Sequence, residues 1–206
     1  MKTRTILTAL GLATLLAGAA NASQEQLATS MNETRVETGR TRDQLATTLA
    51  ALTTLTKQEK GDLRPAYEAF TAEAAKTEKA AAATATRAAW MQGDGLKYFE
   101  DWQATISSIN NESLKKKSQK RLDAVKKSYG KVTDEFKEAA EKFKPFLADL
   151  SDIQKVLSTD LTASGVKGLR STVSDANWRF KAVNRTINDA LAEMKDMEKS
   201  LSSQAK

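Results

Sequence analysis

The 206-residue chain has no cysteine and no histidine. The first absence excludes disulfides, thiolate metal sites and cysteine nucleophiles. The second removes the commonest general base and the commonest metal ligand. Two prolines and nine glycines are too few for an all-β fold or for Gly/Pro-rich disorder. Aromatic residues make up only 6%, so any core must be built mainly from Leu, Val, Ile, Met and Ala. No Gly-x-x-x-x-Gly-Lys-Ser/Thr string is present to cradle a phosphate, and no alternating Asp/Asn loop with a central Gly to hold calcium. The Glu-x-x-His pairs of a bundle-core di-metal site cannot be made without His. Composition leaves a Ser–Lys pair open as a nucleophile, but on helices this polar such a pair reads as solvated surface. The expectation is a protein that is not an enzyme and carries no metal or other cofactor.

What is present begins with an address. Lys2 and Arg4 precede an apolar stretch over 6–16, and Ala20-Asn21-Ala22 is a small-x-small site. This is the three-part pattern of a secretory signal peptide over 1–22, cut between Ala22 and Ser23. An uncleaved anchor helix is the alternative, but the apolar run is short for a bilayer. Leu15-Leu16-Ala17-Gly18 is what precedes the lipidated cysteine of a bacterial lipoprotein; here Ala19 follows instead. The expected product is soluble and periplasmic or secreted. It is a single helical coiled-coil domain over 23–206, its net charge lowered from +6 to +4 by loss of Lys2 and Arg4. It has no further apolar run of ~20 residues, hence no transmembrane segment.

From there on, apolar residues recur at spacings of three and four, the period of a helix seam. Four segments show it. Over 24–58 the stripe is Leu27, Met31, Leu45, Leu49 and Leu52, with Thr34, Thr38 and Thr41 or Arg42 between. A seam filled by Thr packs weakly, so this segment is expected to be the least stable. Over 63–109 the stripe runs from Tyr67 and Phe70 through an Ala/Thr-rich centre to Met91, Gly95, Tyr98 and Trp102. A neighbouring helix could approach closely at that centre, and Gly93 and Gly95 open the prospect of a kink or break. After Asn110-Asn111, with Asn111 as N-cap, a third segment carries Leu122, Val125, Tyr129, Val132, Phe136, Phe143, Phe146, Leu150, Ile153 and Leu157 past Pro145. There the proline is expected to kink the helix rather than end it. A fourth, after 161–165, carries Val166, Leu169, Val173, Phe180, Val183, Ile187, Met194, Met197 and Leu201. Trp102 is read as core, and Trp90 and Trp178 as lying at the seam's edge.

Short connections make sequential helices antiparallel. The fold class is therefore all-α: an elongated, antiparallel up-down-up-down four-helix bundle with long coiled-coil-like helices. A three-helix coiled coil with the first segment loosely attached competes with it.

The strongest surface signal is basic. Lys115, Lys116, Lys117, Lys120, Arg121, Lys126, Lys127 and Lys131 are opposed only by Glu112 and Asp123. The run opens a helix, where the macrodipole disfavours cations. A solvated face is one reading; contact of Lys115, Lys116, Lys117, Lys120 and Arg121 with anionic headgroups or an envelope polymer is another. Nucleic acid fits poorly, since little aromatic side chain is interleaved. The expected partner is an unidentified protein, an anionic envelope component or a second copy of the chain.

Tyr98-Phe99-Glu100-Asp101-Trp102, then Asn110, Ser113-Leu114-Lys115-Lys116, Leu122, Tyr129 and Pro145 resemble the pattern of a bacterial family of exported or lipoprotein-like helical proteins, domain of unknown function 2959. Gly61-Asp62-Leu63 before Tyr67 fits as well. The resemblance implies a helical, coiled-coil-forming exported protein and supplies no activity. Some relatives bear names suggesting a DNA-repair ATPase, for which this chain lacks the P-loop. It departs from the family in its missing lipoprotein cysteine, in Gly93-Asp94-Gly95 and in its Thr-rich first segment.

Overall fold

The computed structural model describes the backbone of residues 4–58 and 60–202 and the side chains of 18–58 and 60–201. Lys2, and the side chains of the expected signal up to residue 17, lie outside the described residues. Five α-helices follow in order: α1 Arg4–Lys57, α2 Arg64–Ser107, α3 Glu112–Thr159, α4 Ala163–Gly168 and α5 Arg170–Ser202. No strand occurs among the described residues, and no helix there is long and apolar enough to cross a membrane.

The chain packs as two compact units. Unit 1 comprises Met1–Arg35, Arg87–Thr133 and Ala192–Lys206; unit 2 comprises Val36–Thr86 and Asp134–Leu191. Each takes a stretch of α1, α2, α3 and α5, so each is a helical bundle of its own. In unit 1 the stripes meet as Leu27 and Met31, Met91, Tyr98 and Ile106, Leu122, Val125 and Val132, and Met194, Met197 and Leu201, all buried. In unit 2 the core joins Leu45, Leu49, Leu52 and Leu55 to Phe70, Phe146, Leu150, Ile153, Leu157, Val173, Val183 and Ile187. Neighbouring helices run antiparallel within each unit. In unit 1, Trp102 Nε1 donates to Ser118 Oγ (3.2 Å), while Tyr129 OH donates to the Met91 carbonyl (2.8 Å). In unit 2, Arg179 pairs with Asp149 and Lys142 donates to Thr186.

Two boundaries differ from the sequence reading. α1 begins at Arg4 and passes through Ala22-Ser23 without a break, because the Ala/Leu-rich stretch before residue 23 is itself strongly helix-forming. The expected fourth helix is two. Thr162 caps α4, its Oγ1 accepting from Gly165 N (3.1 Å). The helix then tightens to a 3₁₀-type bond from Leu169 N to the Val166 carbonyl (3.2 Å), and Val173 N bonds to the Leu169 carbonyl as α5 starts. Val166 and Val173 stay buried on either side, so the seam continues although the helix does not. The continuity left open at Gly93 and Gly95 is resolved: α2 runs through both as one helix. A Cβ on Gly95 would lie 2.5 Å from Cζ and OH of Tyr129: the glycine admits a ring from α3 and is not a break. α3 likewise continues past Pro145.

The threonine seam is better satisfied than its composition suggests. Thr34, Thr38, Thr41 and Thr48 are all buried. In unit 2, Thr41 Oγ1 lies 3.0 Å from the Ala80 carbonyl and 2.9 Å from Thr84 Oγ1. Thr48 Oγ1 repeats this against the Glu73 carbonyl (3.0 Å) and Thr77 Oγ1 (2.8 Å). Each hydroxyl has one proton. If Thr48 gives its own to a carbonyl, Thr77 is the donor in the Thr–Thr bond. In unit 1, Thr34 Oγ1 reaches the Arg87 carbonyl (3.1 Å). A side chain as short as Thr touches a neighbouring main chain only where the facing helix carries small residues, as the Ala/Thr-rich centre of α2 does. These bonds also set the register of α1 against α2, because both the threonines and their acceptors recur every seventh residue. Thr48→Val, which keeps the shape and deletes the hydroxyl, should cost about 1 kcal/mol in urea unfolding. An unchanged midpoint would mean that the bond contributes nothing.

The tryptophans are a further correction. Trp102 is half-buried beside Tyr98, ring centroids 5.5 Å apart, but Trp90 and Trp178 are exposed surface residues. Trp90 lies one position before the stripe residue Met91, about 100° round the helix, and its ring is covered by the Arg87 guanidinium at 4.9 Å.

Candidate interaction face

The α2–α3 connection in unit 1 is closed by Asn111. Its Oδ1 accepts from Ser113 N (3.0 Å) and Leu114 N (3.1 Å), the side-chain N-cap expected from the sequence. The first turns of α3 then present the basic run. Leu122, Val125 and Tyr129 face the core. At 100° per residue, Lys116, Lys120, Lys127 and Lys131 share the opposite face, while Leu114, Lys117 and Arg121 share the face between. All seven of these are exposed, and Lys115 is half-buried. The structure thus brings Lys115, Lys116, Lys117, Lys120 and Arg121 together within two turns of one helix start. Lys126 stands apart from them, its ammonium 5.7 Å from the centre of the Phe99 ring.

What sets these cations apart is their density within two turns of one helix. Elsewhere some lysines pair with an acid three or four residues away, Lys76 with Glu73, Lys97 with Asp101, Lys155 with Asp152 and Lys199 with Asp196, whereas Lys137 and Lys144, each three residues from an acid, make no such pair among the described residues. Those pairs are worth little in stability but they neutralise the surface locally. Lys115, Lys116, Lys117, Lys120 and Lys127 make no such pair among the described residues. Arg121 donates to Ser200 Oγ on α5 (3.1 Å), and Asp123 is engaged by Gln119 (3.0 Å). The asymmetry extends to whole units. Unit 2 holds sixteen basic and sixteen acidic residues, unit 1 sixteen and ten, so the entire net charge of the chain resides in unit 1.

Sequence reasoning missed two features of this part of unit 1. Leu114 is 55% exposed beside the lysines; the signal was its position off the α3 stripe. Leu96, Phe99, Ala104, Tyr129 and Gly130, with Lys126 and Glu100 at the edge, line an open groove of about 600 Å³ between α2 and α3. Its apolar floor follows from the width of the aromatic cluster, in which Phe99 meets Tyr98 at 5.3 Å and Tyr129 edge-on at 5.4 Å.

Burial pushes the Tyr98 phenol up to about 12, the nearby Arg121 opposing it, and pushes Tyr129 up as well, reinforced by Asp94. Both phenols therefore stay neutral in the folded state after an unfolded chain would ionise them at about pH 10. The stabilisation is complete below pH ~10 and is lost as pH rises towards the folded values. The melting temperature should fall above pH ~10, less steeply in Tyr98→Phe. Identical slopes would remove Tyr98 from the explanation.

Most residues that carried the family resemblance lie in unit 1 around this face, while Pro145 and Gly61-Asp62-Leu63 with Tyr67 lie in unit 2. Tyr98, Phe99 and Trp102 stack along α2, and Leu122 and Tyr129 bury the opposite side of the basic helix. No curated protein and no solved structure matches the chain. The family described as protein of unknown function, DUF2959, matches residues 19–201, and the chain belongs to that family.

Proposed function

We propose that this chain is a non-catalytic, exported helical protein of the bacterial cell envelope, acting as a scaffold or interaction module whose contact face lies on unit 1. The observation that carries this reading is the segregation of charge: a neutral unit 2 and a unit 1 holding all the excess of cations. Clustered charge of one sign at one helix start serves contact with something else, whereas a purely structural bundle gains solubility from mixed signs. The lack of His and Cys supports the non-catalytic part, and the Ala20-Asn21-Ala22 site supports export. Two measurements test it. The intact mass of protein recovered from the periplasm should correspond to a start at Ser23, and recovery from the cytoplasm with Met1 retained overturns export. Crosslinking in cells should give adducts that disappear when Lys115, Lys116, Lys117, Lys120 and Arg121 are all changed to Gln. Adducts unaffected by that change overturn the assignment of the contact face.

A second reading, that the partner is itself anionic, is favoured by the lysines without counter-ions at the start of α3. It calls for binding that weakens as salt shortens the Debye length from about 10 Å at 0.1 M to about 3 Å at 1 M.

A further inference from the structure

We propose that the α2–α3 end of unit 1 docks on the surface of an anionic phospholipid bilayer, with Leu114 entering the interfacial layer among the headgroups. The proposal rests on the anionic-partner reading and deepens it by naming the partner.

The argument starts from the position of the charge. Lys115, Lys116, Lys117, Lys120 and Arg121 all lie within seven residues of Leu114, or about 10 Å of helix at 1.5 Å per residue. That is the range over which the field of a charged membrane acts at moderate salt. Within the first turns of α3, up to Arg121, Glu112 is the one acid; Glu100 and Asp101 of α2 lie at the level where Trp102 and Gln103 meet Ser118 and Gln119. Cations in the first turn of a helix work against its dipole, and the Asn111 cap, which satisfies the N–H groups of Ser113 and Leu114, leaves that repulsion in place. The cluster is therefore a local cost to the fold that an external anion removes.

Leu114 decides between kinds of anion. It is a large apolar side chain, 55% exposed, in the first turn of α3 and followed directly by the lysines. A soluble polyanion matches the lysines and offers nothing to Leu114. A bilayer surface matches both: phosphates lie at the level of the ammonium groups and the acyl boundary just beneath. Lysines this long reach headgroups while their stems lie against apolar surface.

The chain lacks cysteine, so one introduced thiol gives a unique position for an environment-sensitive fluorophore. In the full-length mature protein, Leu114→Cys carrying such a label should shift its emission to the blue on vesicles of equal parts phosphatidylglycerol and phosphatidylcholine, but not on pure phosphatidylcholine. A label at Val156→Cys, exposed in unit 2, should not respond. Unlabelled protein should sediment with the anionic vesicles. The combined change of Lys115, Lys116 and Lys117 to Gln should weaken this ~100-fold, at about fivefold per cation, with the helical circular dichroism unchanged. Salt-dependent sedimentation with the anionic vesicles without a shift at residue 114 overturns the entry of Leu114 into the bilayer and leaves the anionic-partner reading standing. Binding to soluble polyphosphate but not to vesicles overturns it in favour of a polyanion. Failure to bind either removes both readings together.

Discussion

Replacing Gly95 with alanine should destabilise unit 1 by about 1–3 kcal/mol, the range for overpacking a filled core, although the same change two residues earlier should stabilise it. Inside a helix Gly→Ala normally gains 0.4–1 kcal/mol or so, because alanine has less backbone freedom to lose. Gly93 should follow that rule: nothing lies within 4 Å of the position its Cβ would take. Gly95 should break it. An added methyl would sit 2.5 Å from two atoms of the Tyr129 side chain and 2.9 Å from a third. The ring cannot swing away cheaply. It is buried, it meets Phe99 edge-on, and its hydroxyl is tied to the Met91 carbonyl at 2.8 Å. Urea unfolding of the two single variants is the test, and the opposite signs are its content. A stabilised Gly95→Ala protein would mean that Tyr129 does not pack on α2 as described.

The same pair shows where the sequence was legible and where it was not. The apolar stripes were readable because they are local: a period of three and four needs only neighbouring residues, and from Leu122 to Leu157 the fully buried positions are stripe positions. The Asn111 cap was readable for the same reason. Gly95 was ambiguous because its partner lies thirty-four residues away on another helix. Thr34 and Thr41 looked like weak points because their acceptors, the carbonyls of Arg87 and Ala80, appear only once α1 and α2 are paired in register. The basic cluster was visible as composition. Its lack of counter-ions and its association with an exposed Leu114 became visible only with the helix faces assigned. Trp90 and Trp178 lie within two positions of stripe residues, which suggests the seam's edge, but both are exposed.

Phe146→Ala should be the most damaging single truncation in unit 2, costing about 3–5 kcal/mol. Phe146 is fully buried, and its ring lies 6.1 Å from that of Phe143 and 6.3 Å from that of Phe180. It therefore links the α3 and α5 sides of one core, together with Leu150 and Ile153. Its position adds to the effect. Pro145 has no N–H to bond to the carbonyl four residues before it, so α3 is held straight enough to pack by its side chains at this point more than by its backbone. Removing the ring leaves a cavity next to the weakest link in the helix. Trp178→Ala deletes a larger side chain, yet that residue is 72% exposed and its loss should change stability by no more than about 0.5 kcal/mol. Chemical denaturation of both variants separates burial from size: if the two changes cost the same, the placement of α5 against α3 in this unit is wrong.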